Sequence, residues 1–202
     1  MIIIKDKFCF LHIPKTSGSS FTKIIGKYIH PDKEVKTDYN CWQDDWHSVA
    51  RQHTALRELK PVHKEAIKGL DVITIVRNPY SRIVSQCFSY NHLKHFHSVN
   101  NFVSHINDDR PAGRRYWPQG YYLKNDMDLD IKTFKMEENP HQTICKLYDL
   151  DYKEEHVLNR GDNSTVRSLL NKRSIEIINK LYRADFERFG YDMVVEVEDL
   201  PL

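Results

Sequence analysis

Two short stretches of this chain carry residue types and spacings suited to holding an anion. The first, HIPKTSGSS (residues 12–20), sets Lys15 among Thr16, Ser17, Gly18, Ser19 and Ser20. Small residues in such a turn let backbone N–H groups face a bound oxygen, the hydroxyls add donors, and the lysine adds a point charge. The order differs from G-x-x-x-x-G-K-[ST], which needs two glycines with lysine after the second, whereas Lys15 precedes the loop's only glycine. A capped turn with a solvated lysine is the alternative. In the second stretch, VRNPYSRIVS (residues 76–85), Arg77 and Ser85 stand eight apart. A guanidinium fork matches phosphate oxygens and a serine hydroxyl donates from the side, so both residues can meet one phosphate. Pairing of Arg77 with a carboxylate, or a role at a sheet edge, competes with that reading.

Both stretches need a strand before them and a helix after. KFCFLHI (residues 7–13) is apolar, aromatic and β-branched and stops at Pro14, which predicts a buried central strand. Phe21, Ile24, Ile25, Tyr28 and Ile29 then recur at helical spacing. DVITIV (residues 71–76) predicts the second strand, with Asn78 as N-cap, Pro79 at the first helical position and an apolar stripe of Tyr80, Ile83, Val84, Cys87 and Phe88. Two strand-turn-helix units with anion-type residues at both strand ends favour one ligand bearing phosphates at both ends, in the crevice where open α/β sheets bind ligands.

The intervening text is less regular. Residues 30–47 are polar and aromatic without a period and predict a surface excursion or lid. Residues 48–60 read as a helix stopped by Pro61, a further helix runs to Lys68 with Gly69 as its cap, and residues 92–130 are partly helical without placeable boundaries. A strand at 131–136, a helix from about Pro140, a loop NRGDNST (residues 159–165) and a helix at 174–189 complete the chain. No repeat or linker interrupts this order, so the expectation is a single α/β domain spanning residues 1–202: three layers, a central parallel sheet flanked by helices.

Composition narrows the partners. With 30 Lys plus Arg against 28 Asp plus Glu the formal charge is +2, which argues against a sequence-wide grip on nucleic acid, so any anion site is expected to be local. The four cysteines form no CxxC pair, which argues against a zinc ribbon or disulfide scaffold and for a reducing compartment. No apolar run approaches the roughly 20 residues of a bilayer span, so no membrane partner is expected and the protein is expected to be soluble and cytoplasmic. Oligomeric state leaves no mark in the sequence.

These residues carry a resemblance. HIPKTSGSSF resembles the 5′-phosphosulfate loop of sulfotransferases that use 3′-phosphoadenosine 5′-phosphosulfate (PAPS), and VRNPYSRIVS resembles their 3′-phosphate motif, in the same order. The branch it is most similar to includes the Golgi carbohydrate 2-O- and chondroitin-type sulfotransferases. Thinner likeness extends through QHTALREL, WPQGYYL, FKMEE and YRADFERFGY. Those Golgi enzymes carry a membrane anchor and stem, and this chain opens on its first strand, so a short soluble member is implied. The resemblance implies a P-loop-like fold and transfer of a sulfuryl group from PAPS to a hydroxyl, of a carbohydrate or glycosylated metabolite, with 3′-phosphoadenosine 5′-phosphate (PAP) as product.

The resemblance also distributes roles. Lys15 with Thr16, Ser17, Gly18, Ser19 and Ser20 would hold the 5′ side, and Lys15 would offset charge developing on the bridging oxygen, without a metal. Arg77 and Ser85 would hold the 3′-phosphate, and Ser164 or Arg167 in the late loop would close over the nucleotide. His53 in QHTALREL corresponds to a histidine able to take the acceptor's proton. On a continuous helix His53 would instead join an apolar face with Val49 and Leu56, and His47 competes for the role. A P-loop small-molecule kinase and a catalytically silent PAP-binding protein remain as alternatives.

Three further clusters carry weaker signals. His92, His95, His97 and His105 have spacing that can gather imidazoles, but no CxxC, HExxH or carboxylate frame accompanies them, so the expectation is no metal site. Arg110, Arg114 and Arg115 either contact an acidic acceptor or lie solvated. Trp42, Trp46, Trp117, Tyr121 and Tyr122 either form sugar-stacking walls or pack in the core.

Overall fold

Four successive buried side chains mark β2 (Phe8–Leu11), a pattern that a strand covered on both faces produces. In the computed structural model β2 pairs in parallel with β3 (Asp71–Val76), which pairs in parallel with β4 (Ile131–Lys135). Leu11 lies opposite Thr74, and the Thr74 hydroxyl donates to the Leu11 carbonyl at 2.8 Å. Because β2 and β3 run the same way, the loops that follow them leave the same edge of the sheet.

The structure describes residues 1–4, 6–29, 53–89, 92–108, 114–153 and 163–200, and for Val62, Asp108, Arg114 and residues 163–165 the backbone alone. The expected excursion at 30–47, with Cys41, Trp42, Trp46 and His47, lies outside the described residues, as do Arg110 and the first part of the late loop.

The sheet is mixed, which corrects the expected parallel one. β1 (Ile2–Ile4) pairs antiparallel with β2, Ile2 opposite Phe10, in the order β1-β2-β3-β4. The connection from Ile4 to Phe8 is too short for the crossover that parallel pairing requires, so a hairpin is the only topology open to it.

The chain divides into two compact units, 1–76 with 121–158, and 77–120 with 159–202. The first holds the sheet, α1 (Gly18–Ile24), α2 (Gly26–Ile29), α3 (Pro61–Ala66) and α8 (Pro140–Leu147). Phe21 and Ile25 with Ile144 and Cys145 pack on Phe8, Phe10, Ile73 and Ile75. The second unit is helical: α4 (Pro79–Cys87), α5 (His92–Phe96), α6 (Val99–Asp108), α7 (Gln119–Tyr122, its last two residues in the first unit), α9 (Asn163–Leu169) and α10 (Lys172–Phe189). Its core joins Tyr80, Ile83 and Cys87 to Phe102 and Val103 and to Ile175, Ile178 and Phe186. The N-cap and proline predicted for α4 are observed, Asn78 Oδ1 accepting from Tyr80 N–H at 3.0 Å.

Three further expectations are corrected. Residues 53–60 are a turn, an extended Ala55 (φ −74°, ψ 149°) and a 3-10 turn at Leu56–Glu58, not α-helix. Pro61 disfavours helical backbone at Lys60, which is extended (φ −66°, ψ 154°). The helix after the first loop breaks at Ile25 ahead of Gly26, giving α1 and α2. Asn163 to Thr165, expected in a loop, begin α9. The helix expected to reach Lys68 with Gly69 as its cap ends at Ala66 and is capped at Ile67; Gly69, at φ 76°, lies in the turn beyond it. Among the described residues no helix is long and apolar enough to cross a membrane.

Candidate active site

The chain leaves β2 through His12 and Ile13 and turns at Lys15 (φ 66°) and Ser17 (φ 68°), both in the left-handed region. Holding two non-glycine residues there costs energy that a plain turn need not spend, and such strain gathers at functional sites. Thr16 is fully buried and its hydroxyl donates to the Ile13 carbonyl at 3.0 Å, so this hydroxyl proton is committed to the turn. Ser17 accepts Phe21 N–H on its carbonyl at 3.1 Å, opening α1, while its Oγ is buried with no hydrogen-bond partner. An orphaned buried hydroxyl two residues after a lysine suits a ligand oxygen. Lys15 and Ser20 are half-buried and Ser19 is exposed.

His12 forms the floor of this loop. A Cβ added to Gly18 would fall 2.0 Å from its Cδ2, so the ring occupies the space that any side chain at position 18 would need. The imidazole stacks on Phe10 and meets the His53 ring edge to face at 4.5 Å between centroids. His53 Nδ1 lies 2.9 Å from the His12 carbonyl. A carbonyl only accepts, so Nδ1 of the neutral ring carries the proton and Nε2 carries the lone pair that a general base uses. The turn bearing His53 is stapled by Glu58, whose carboxylate accepts from Ala55 N–H at 3.2 Å and from the Tyr121 hydroxyl at 3.3 Å. Arg57 N–H bonds the Lys124 carbonyl at 3.1 Å, and its guanidinium covers the Tyr121 ring at 3.9 Å.

Burial holds the His12 ring well below the ordinary histidine value, and the charges of His53, the chain amino terminus and Lys15 push the same way. Above pH 6.5 both folded and unfolded chains leave this ring neutral. Below it the unfolded chain binds a proton that the folded one resists, so stability falls with falling pH. His12→Phe, which keeps a planar ring, is expected to flatten this part of the slope in denaturant melts between about pH 7 and pH 5. An unchanged slope would contradict the placement.

The second motif is built on α4. Arg77 directly follows the last residue of β3 and is buried, its Nε donating to Ser81 Oγ at 2.9 Å. Ser81 Oγ in turn donates to the Asn78 carbonyl at 3.1 Å. Ser85 lies one turn beyond Ser81 on the same helix face and is half-buried. The Arg77 backbone is gripped by Gln119, and Arg82, fully buried, donates to the carbonyls of Trp117 and Arg115 at 3.1 Å each. Sequence reasoning missed His12, Ser81 and Gln119 as parts of the site. Ser81 was legible, one helical turn from Arg77 and one from Ser85; Gln119 left no local signal.

The structure gathers Lys15, Thr16, Ser17, Gly18, Ser19, Ser20 and His53 in the first unit, while Arg77, Ser85, Ser164 and Arg167 belong to the second. Arg167 donates to the Leu200 carbonyl at 2.7 Å, and Ser164 lies in the first turn of α9. Of the four histidines between 92 and 105, His92 shares a hydrogen bond with the Tyr116 hydroxyl at 3.0 Å and stacks on Phe102, and His105 lies against Phe96, while His95 and His97 are exposed. Among the described residues no three His, Cys, Asp or Glu side chains are placed to hold a metal ion. Tyr122 is core and Tyr121 sits beneath Arg57.

Comparison with protein families gives a match to the sulfotransferase family over residues 1–114, more than half of the chain, including both anion motifs and His53. The chain belongs to the sulfotransferase family. Curated proteins and solved structures give no match. Sulfuryl transfer needs charge stabilised where the leaving oxygen departs and a base where the acceptor hydroxyl arrives.

Proposed function

We propose that this sulfotransferase uses PAPS as donor and transfers its sulfuryl group to a hydroxyl of a carbohydrate or glycosylated metabolite, residues 1–202 acting as one domain. The observation that carries the donor assignment is the buried Ser17 Oγ without a partner, in a strained loop beside Lys15. The loop from Lys15 to Ser20 holds the 5′-phosphosulfate, and Arg77 with Ser85 holds the 3′-phosphate. Each motif directly follows a strand in the sequence, the first after β2 and the second after β3. A cytoplasmic setting accompanies the reading, supported by Cys9, Cys87 and Cys145, all buried and unpaired.

PAPS supplies a sulfuryl group whose sulfur is attacked by the acceptor oxygen while its bond to the bridging phosphate oxygen breaks, giving a sulfate ester and PAP. His53 Nε2 takes the acceptor's proton, and Nδ1–H on the His12 carbonyl holds the ring in that tautomer and steadies the imidazolium. Lys15 offsets the charge gathering on the bridging oxygen. Ser164 or Arg167 is assigned to the nucleotide side; the Arg167 guanidinium donates to the Leu200 carbonyl at 2.7 Å.

Replacing His53 by Ala is expected to lower PAP release from PAPS about a hundredfold or more while PAP binding persists, the usual scale of general-base loss. Turnover at the wild-type rate would move the base elsewhere, His47 first. The donor itself is tested by thermal shift with PAP, PAPS, ATP plus magnesium, and AMP. A ligand at a hundred times its dissociation constant stabilises by about 2.7 kcal/mol. PAP and PAPS are expected to raise the melting temperature well beyond AMP; a response to ATP alone would point to a kinase.

A further inference from the structure

At Arg77 the chain leaves β3, whose ladder with β4 ends at Val76 opposite Lys135. The next peptide has lost its strand neighbours, and a buried backbone N–H and C=O without partners are costly. The Gln119 side chain replaces the missing strand: Oε1 accepts Arg77 N–H at 2.8 Å and Nε2 donates to the Arg77 carbonyl at 2.8 Å. Only a primary amide of this length does both, since a carboxylate offers no donor and an apolar side chain offers neither. Gln119 is itself completely buried and fixed from behind. Asp185, on α10 and also buried, receives Gln119 N–H at 2.7 Å on Oδ2 and Gly120 N–H at 2.8 Å on Oδ1. Arg82 braces the preceding residues through the carbonyls of Arg115 and Trp117.

The chain of contacts therefore runs from α10 through Asp185 to Gln119 and ends on the backbone of the arginine assigned to the 3′-phosphate. The guanidinium of that arginine is tied at Nε to Ser81, so its direction is set by the backbone position and by α4. We propose that Gln119, seated by Asp185, is a positioning residue that gives this sulfotransferase its selectivity for 3′-phosphorylated nucleotides by fixing the backbone of Arg77. The inference rests on the donor reading above, in which Arg77 meets the 3′-phosphate. Gln119 touches no part of the nucleotide; it acts through Arg77, because a forked donor displaced by a fraction of an ångström loses its two-point fit to phosphate.

Calorimetric titration of the full chain with PAP and with AMP, which differ only by the 3′-phosphate, tests this. The wild type is expected to prefer PAP. In Gln119→Met, which keeps side-chain length, PAP affinity should fall about tenfold or more while AMP affinity changes less than about threefold, the pattern of a lost charge-assisted contact. Gln119→Glu keeps the acceptor and the volume and should show the same selective loss, covering the case in which the methionine variant does not fold. Adding Gln119→Met to Arg77→Ala should remove no further selectivity. Equal loss for PAP and AMP would reveal a merely structural role and overturn the proposal, as would wild-type selectivity in both Gln119 variants. A wild type that binds PAP and AMP equally would overturn the donor reading and this inference together.

Discussion

Replacing Lys15 by Ala should reduce sulfuryl transfer from PAPS at least about a hundredfold, the scale on which a single oxyanion-stabilising group is felt. Lys15 is held at φ 66° in a loop whose neighbours are committed: the Thr16 hydroxyl to the Ile13 carbonyl, the Ser17 carbonyl to α1. Those contacts do not depend on the ammonium, so the variant should fold, and the loss should appear in the rate of PAP release more than in PAP affinity. The ammonium matters most when the bridging oxygen becomes an anion, which is why the effect belongs to the chemical step. A Lys15→Ala protein with wild-type turnover would remove the basis for the assigned site.

Gly18→Ala should damage the same loop through packing. The added methyl would sit 2.0 Å from His12 Cδ2 and 2.3 Å from Nε2, far inside contact distance. The His12 ring has little room to yield, since it is buried between Phe10 and His53. Overpacking of this kind costs about 1–3 kcal/mol. Relief by moving the ring would pull on the His53 turn, because Nδ1 of His53 is bonded to the His12 carbonyl. Chemical denaturation should therefore show a lower midpoint, and calorimetry should show PAP affinity and turnover falling together. Wild-type stability in Gly18→Ala would mean that the His12 ring does not cover this glycine.

How much of this was legible in the sequence differs by element. β2 and β3 followed from nearly unbroken apolar runs and α4 from the Asn78-Pro79 start and its apolar stripe, signals that reside within each segment, and β4 was read from the shorter pattern of Ile131, Thr133 and Phe134. β1 was not read as a strand, since three isoleucines before a three-residue turn carry no alternation, and only pairing with β2 makes them one. The turn at 53–60 was misread because Val49, His53 and Leu56 keep helical spacing, and Pro61 acts on the residue before it more strongly than that spacing does. In the proposed site, Lys15 and Arg77 were legible as anion-type residues just past strand ends, and Ser85 as a hydroxyl on the helix that follows. The partners that aim them were not: Gln119 meets Arg77 across 42 residues of sequence, Asp185 meets Gln119 across 66, and His12 covers Gly18 by side-chain packing. Such contacts are set by tertiary structure and leave no local pattern.

The most direct measurement is transfer itself: the protein incubated with PAPS carrying radiolabelled sulfate and a panel of sugars and glycosides, without added divalent metal, with label and nucleotide followed together. The expected result is labelled sulfate on a sugar hydroxyl with one PAP formed per sulfate, abolished by Lys15→Ala. PAPS left intact across the panel, while ATP with magnesium is consumed and phosphate appears on the same acceptors, would contradict it.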